Sequence, residues 1–200
     1  VNVTAGANIV AVCDGALASR RTRTQTATAV CQSRAGFKTA HSADRELSSV
    51  AGGKQYETDV AIVGAGGAGM AAGIEALDAG ARAVVFEQDS QLGGMAIISG
   101  GGCLIVGSPL QAENGIHDTP DLAFKDWIEW GGPSTDVIWA RYYIEHSLHD
   151  LYHWAEGLGV KWVDMKVQEG NSVQRWTRPE RNGLGLMTGL IEGFRKRGGK

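Results

Sequence analysis

Between residues 58 and 87 the hydrophobic pattern changes period twice. Thr58-Asp59-Val60-Ala61-Ile62-Val63 is a short apolar run rich in β-branched residues, which predicts a buried strand. After a glycine-rich stretch, Met70, Ile74 and Leu77 fall at helical spacing until Gly80, and Arg82-Ala83-Val84-Val85-Phe86 then reads as a second strand. Further along, Pro120 to Trp130 and Thr135 to Leu158 read as helices. The second is capped by Ser134 or Thr135 and striped by Val137, Ile144, Leu148, Leu151, Ala155 and Leu158. Val160-Lys161-Trp162-Val163 is a short strand, and Leu186 to Arg197 a last helix with Met187, Leu190, Ile191 and Phe194 on one side. Alternating strands and helices predict an α/β fold with a parallel sheet started by residues 59–63 and 83–87. Arg195, Lys196 and Arg197 followed by Gly198 and Gly199 form a helix stop, after which another strand of the same sheet is expected, so the domain reads as incomplete at its C-terminal end.

No period of 2 or 3.6 runs through residues 1–50, which are rich in Ala, Thr, Ser and Arg and hold few acids. The expected organisation is a disordered or leader segment over 1–54 and one domain over 55–200.

Composition narrows the classes. A net charge of −3 supplies no positive field for nucleic acid. The longest uncharged stretch, Val60 to Ile74, is broken by glycines and too short for the roughly 18 residues of a bilayer span. Three cysteines, Cys13, Cys31 and Cys103, make no CxxC pair, so neither a zinc site nor a disulfide framework is indicated and a reducing, cytoplasmic setting is expected. Glycine is the outlier, with 29 of 200 residues, about twice the usual share.

Four of those glycines sit where the first strand gives way to the first helix. Gly64-Ala65-Gly66-Gly67-Ala68-Gly69 follows a strand and opens a helix, the context in which a GxGxxG pattern carries meaning. Gly64 permits a tight turn, Gly66 lets bare backbone approach a pyrophosphate, and Gly69 lets the helix pack on the strand. The helix N-terminus then faces the phosphates with free N–H groups and the positive end of its dipole. Glu87, eighteen residues past Gly69 at the end of the second strand, stands at the ribose position. A carboxylate there suits the adenosine of NAD or FAD and repels a 2′-phosphate. Two more clusters, Gly93-Gly94 and Ser99-Gly100-Gly101-Gly102, favour a long flat ligand continuing past the pyrophosphate, and so flavin over a nicotinamide-dependent dehydrogenase.

Thr58 to Gly102 resembles the FAD-binding segment of the fumarate reductase and succinate dehydrogenase flavoprotein superfamily, which includes 3-ketosteroid dehydrogenases. Weaker similarity continues through Gly115-Ile116-His117-Asp118-Thr119-Pro120 and Arg175-Trp176-Thr177-Arg178-Pro179. The resemblance implies a Rossmann-like, GR2-type fold, with Gly64, Gly66, Ala68 and Gly69 on the pyrophosphate, Glu87 on the ribose, and Gly94, Met95, Ala96, Gly100 and Gly101 beside the flavin. Gly67, Gln88, Gly93 and Ser99 complete the candidate set. Met95 departs from the polar residue usual there. The histidine that attaches FAD covalently in succinate dehydrogenases is absent from Met95-Ala96-Ile97-Ile98, which implies noncovalent FAD. The tyrosine that ketosteroid enzymes draw from the stretch near Trp162 to Trp176 is also absent, since the tyrosines are Tyr56, Tyr142, Tyr143 and Tyr152. The implied activity is hydride transfer between flavin N5 and an activated C=C or CH–CH bond of a small acid or ketone, with an electron partner left open. A 3-ketosteroid dehydrogenase-like flavoenzyme and a non-catalytic FAD-binding fragment are the alternatives. The family's proton donor and substrate clamps come from later segments, so no catalytic residue is assigned.

Other residues receive plainer expectations. His149 and His153 have the i,i+4 spacing of a metal pair but no HExxH pattern, and no metal is expected. Trp127, Trp130, Trp139 and Trp154 are expected in the core, Arg175 and Arg178 on a solvated loop, and Cys103 as a small packing residue.

Overall fold

The computed structural model describes residues 55–200 together with three short strands, β1 (Asn2–Val3), β2 (Asn8–Cys13) and β3 (Ala16–Leu17). The leader expectation otherwise concerns residues outside this description. The chain continues through β4 (Gln55–Tyr56), β5 (Val60–Val63), α1 (Gly67–Asp78), β6 (Ala83–Phe86), α2 (Gly94–Ile98), β7 (Cys103–Leu104), α3 (Pro109–Glu113) and α4 (Pro120–Gly131). It closes with α5 (Val137–His146), α6 (Trp154–Gly157), β8 (Trp162–Lys166), β9 (Trp176–Pro179) and α7 (Asn182–Lys196).

The central sheet has the order β3-β2-β5-β6. Strands β5 and β6 are parallel, with Val60 opposite Ala83 and Val63 opposite Phe86, as a strand–helix–strand unit requires. Strand β2 also runs parallel to β5, in a stretch where the sequence pattern marks no element. On the other edge of β6, Lys200 N–H donates to Ala83 O and Val85 N–H donates to Lys200 O, the bonding of a neighbouring strand. Helices α1 and α7 pack on each other against this sheet. Met70 and Ile74 of α1 and Met187, Leu190, Ile191 and Phe194 of α7 are buried in one core with Tyr152, Ala155, Leu158, Val160 and Trp162. Gly73 admits this packing, because a methyl there would meet the Phe194 ring at 2.6 Å.

A second, antiparallel sheet of order β7-β9-β8 stands beside the first, and only part of one strand of it is anticipated by the sequence pattern. The expected helix over 135–158 is interrupted. Its cap is Asp136, whose carboxylate accepts the N–H groups of Ile138 and Trp139 at 3.0 Å, rather than Ser134 or Thr135. Residues 147–153 then form π-helical turns in which Ser147 is drawn inward, its Oγ accepting Val106 N–H at 3.1 Å. Val137, expected on the buried stripe, is exposed with Ile138 and Trp139 at the helix's solvent end, whereas Ile144, Ala155 and Leu158 are buried. Two of the expected core tryptophans are also outside. Trp130 is 67% exposed where it lies over Gly170, and Trp139 is 61% exposed with its ring edge-on to Tyr142.

Candidate cofactor site

Ala65 is the joint of the site. Its N–H donates to Glu87 Oε2 at 2.7 Å, and its carbonyl accepts Gly93 N–H at 2.9 Å, so one buried residue ties the β5 turn to the end of β6 and to the start of α2. Gly64 begins the turn with a φ of 98°, a left-handed conformation that L side chains rarely adopt. A methyl on Gly69 would overlap the Gly64 carbonyl oxygen, so α1 can lie this close to the strand only without a side chain there. Gly66, by contrast, faces open space and caps α1 with no side-chain bond. The N–H groups of Gly67 and Ala68, in the first turn of α1, have no intrahelical acceptor and point outward with the helix dipole.

Burial raises the Glu87 carboxyl, but N–H donors from Ala65, Asp89 and Gln88 outweigh it and hold the group below its usual value. The acid is therefore ionised at neutral pH. Oε1 accepts Gln88 N–H at 2.7 Å and Asp89 N–H at 3.0 Å, while Oε2 accepts only that of Ala65, which leaves a lone pair on Oε2 for a ribose hydroxyl.

The later glycine clusters lie against the first loop. A Cβ on Gly94 would sit 3.3 Å from Gly66 Cα, and one on Gly67 would sit in ordinary contact with Ala96 Cβ at 4.0 Å. Ser99 follows α2, donates through Oγ to Ala96 O and accepts Gly101 N–H, while its carbonyl accepts the N–H of Gly183 at 3.0 Å. That last bond brings the α7 N-terminus to the site, which the sequence pattern does not anticipate. The α7 start is held by Arg181 and Asn182, both left-handed at φ 63° and 57°. Loop, α2, turn 99–102 and α7 N-terminus thus form one continuous rim. Met95 is 73% exposed on it, and Gly100 presents open backbone. Bare backbone, free helix N–H groups and an ionised acid at the strand end match the donor and acceptor pattern of a dinucleotide, so the residues present fit FAD.

Arg175 is fully buried, not solvated. Its Nε and Nη2 donate to the two oxygens of Asp118 at 3.0 and 2.9 Å, and Nη1 to Asp126 Oδ2 at 2.5 Å and Asn171 Oδ1 at 3.0 Å. Partners lying 49 and 57 residues upstream give no spacing signal, which is why the arginine reads as a loop residue in sequence. Arg178, on β9, is likewise paired, with Asp164 of β8. Cys103 is half-buried, its thiol pushed up to about 11 by desolvation, as befits packing rather than redox exchange. His149 and His153 each face a separate carboxylate, Asp150 and Glu156. Among the described residues no cluster of three metal-ligating side chains occurs, and no helix is long and apolar enough to cross a membrane.

The sequence profile of a family described as FAD binding domain matches residues 59–198. The chain belongs to that family. Its FAD binding domain is 32% identical over 134 residues to a fumarate reductase (cytochrome) of Shewanella frigidimarina, covering 67% of this chain and 23% of that protein. A KsdD-like steroid dehydrogenase of Mycobacterium tuberculosis is 31% identical over 153 residues, covering 66% of this chain and 27% of that protein. Among solved structures, the open conformation of a flavocytochrome c3 fumarate reductase superposes with a TM-score of 0.68 at 30% identity, covering 72% of this chain and 26% of that one. A 3-ketosteroid-Δ4-(5α)-dehydrogenase from Rhodococcus jostii gives 0.64 at 28%, covering 72% and 38%. The chain spans about a quarter of the length of the curated relatives it matches.

Proposed function

We propose that this FAD binding domain serves an oxidoreductase of fumarate reductase type. The observation that carries the reading is that Gly94 lies against Gly66, where a Cβ on Gly94 would stand 3.3 Å from Gly66 Cα, and that Gly66 and Gly100 both face open space, so bare backbone continues past the loop where a flat ring would lie. FAD supplies hydride transfer at flavin N5 to or from an activated CH–CH or C=C bond of a small acid or ketone. The chain's residues bind and orient it. The N–H groups of Gly66, Gly67 and Ala68 meet the pyrophosphate beside Gly64 and Gly69, and Glu87, flanked by Gln88, meets the ribose. The backbone of Gly93, Gly94, Met95, Ala96, Ser99, Gly100 and Gly101 meets the flavin. FAD is held noncovalently, since α2 offers only Met95, Ala96, Ile97 and Ile98 and no nucleophilic side chain. The reducing, cytoplasmic setting is retained on the cysteine usage. Kinship with steroid dehydrogenases as well as fumarate reductases supports a 3-ketosteroid as the second substrate class.

The test is a titration of the protein with FAD and with NAD, read by flavin absorbance and fluorescence and followed by heat denaturation. The expected result is saturable FAD binding, no response to NAD, and release of all flavin on denaturation. Reoxidation of the dithionite-reduced flavin by an α,β-unsaturated dicarboxylate, which takes the hydride on its C=C bond, and not by a 3-ketosteroid carrying the conjugated ring C=C bond decides the substrate class. Failure to bind FAD overturns the reading.

A further inference from the structure

The turn that faces the flavin end of the site is bare in front and held from behind. Gly100 looks into open space, but a Cβ on Gly101 would meet Gly183 N at 2.5 Å, and one on Gly102 would overlap Nε1 of the Trp176 indole. The turn is therefore pressed between the α7 N-terminus and Trp176. Trp176 opens β9, where it pairs with Leu104 while Thr177 pairs with Cys103, directly after the glycines. The residue before it is Arg175, whose carbonyl accepts Ile105 N–H at 3.0 Å.

Arg175 is the centre of a buried polar cluster. Besides the guanidinium, Asp118 accepts Gln111 Nε2 at 2.9 Å and Thr119 N–H at 3.0 Å, and Asp126 accepts the Ser172 N–H and hydroxyl at 2.8 and 2.7 Å. Gln111 also donates to Gln174 O at 2.8 Å. No buried side-chain polar atom among the described residues lacks a partner. A satisfied network of this kind fixes one arrangement of the segments it joins, here α3, α4 and the start of β9. None of its members lines the rim itself.

We infer that Arg175, acting through Trp176, is a positioning residue for the flavin: the Asp118–Arg175–Asp126 cluster sets where the Gly100–Gly101 backbone stands and thereby the fit of the isoalloxazine. The inference rests on the FAD assignment above. It predicts an effect confined to one end of the ligand, because the adenosine end is built from Ala65, Gly66 and Glu87, far from the cluster in the chain of contacts.

The experiment compares ADP and FAD affinity in the full protein for wild type, Arg175→Lys and Trp176→Phe, with the flavin absorption spectrum and the melting temperature of the ligand-free protein recorded alongside. Lysine keeps the charge and loses the paired donors; phenylalanine keeps an apolar ring and loses the indole edge on Gly102. The expected result is ADP affinity within twofold of wild type in both variants, FAD affinity lowered about tenfold, and a shifted flavin band. Where Arg175→Lys fails to fold, Trp176→Phe carries the same readouts. Unchanged FAD affinity and spectrum in Trp176→Phe, or equal losses of ADP and FAD, overturn the inference. Absence of FAD binding in wild type overturns the cofactor assignment instead.

Discussion

Glu87 does two jobs with one carboxylate. It holds the loop through Ala65 N–H and keeps a lone pair for the ligand. Glu87→Gln keeps an acceptor for Ala65 only by turning its NH2 towards the N–H groups of Gln88 and Asp89, and it loses the charge that strengthens every contact. The expected result is an FAD affinity weaker by about 2 kcal/mol, roughly thirtyfold, with the ligand-free protein melting below the wild-type temperature. Isothermal titration checks the first and a thermal scan the second. The pH dependence has a definite sign. The donors hold the folded pKa below its ordinary value, so the charge is complete at and above that ordinary value, about 4.3. FAD affinity in wild type should stay level from neutral pH down to that point and fall only below it. The placement of Glu87 at the end of β6 beside the loop was legible in sequence because its distance from Gly69 is set by one helix and one strand. The role of Ala65 was not, since an alanine inside a glycine run carries no mark of its own.

At the scale of elements, the glycines of the loop divide into those that let the chain pack and those that leave room. Gly69→Ala places a methyl on the Gly64 carbonyl and forces α1 off the strand. A loss of about 1–3 kcal/mol in stability is expected, with FAD binding lost as the loop shifts. Gly66→Ala meets nothing in the ligand-free protein, and its φ of −74° and ψ of −175° suit alanine. Its melting temperature should stay close to wild type while FAD affinity falls, because the methyl stands where the pyrophosphate approaches. Equal behaviour of the two variants in denaturation would contradict this division. The same glycines explain what the hydrophobic pattern conceals. Helix α7 begins at Asn182, four residues before its apolar stripe at Leu186, because Gly183 and Gly185 are helical. Each is glycine since a methyl would overlap Ala96 O or Glu180 O. Helices α2 and α3, of five residues each, are too short for a period to show. The strand–loop–helix–strand core was legible because its period, its glycines and its acid agree with one another.

At the scale of the whole molecule, the second sheet and the polar cluster beneath it join segments whose sequence separation hides their contact. The cluster sets two carboxylates, Asp118 and Asp126, against one guanidinium. Burial raises the Asp126 carboxyl, but Ser172 and Arg175 outweigh it and hold the group below its usual value, about 3.9 when unfolded. Its contribution to stability is therefore complete above that unfolded value and disappears as pH falls through the lower folded one. The melting temperature of wild type should be level near neutrality and drop below about pH 4. Removal of the guanidinium inverts the sign. In Arg175→Met two buried carboxylates face each other without a counter-charge, a loss expected to cost about 3–5 kcal/mol at neutral pH. Burial, no longer opposed by the guanidinium, then pushes the Asp126 carboxyl up against the two Ser172 donors that remain, so the folded state takes up a proton more readily than wild type does. Part of the stability lost at neutral pH is expected back as the solution is acidified. Melting temperatures of Arg175→Met should accordingly rise between pH 7 and pH 5, where wild type is flat. A variant that is uniformly less stable across the same interval would show that the cluster does not bury its charges in the way the hydrogen bonds around Arg175 indicate.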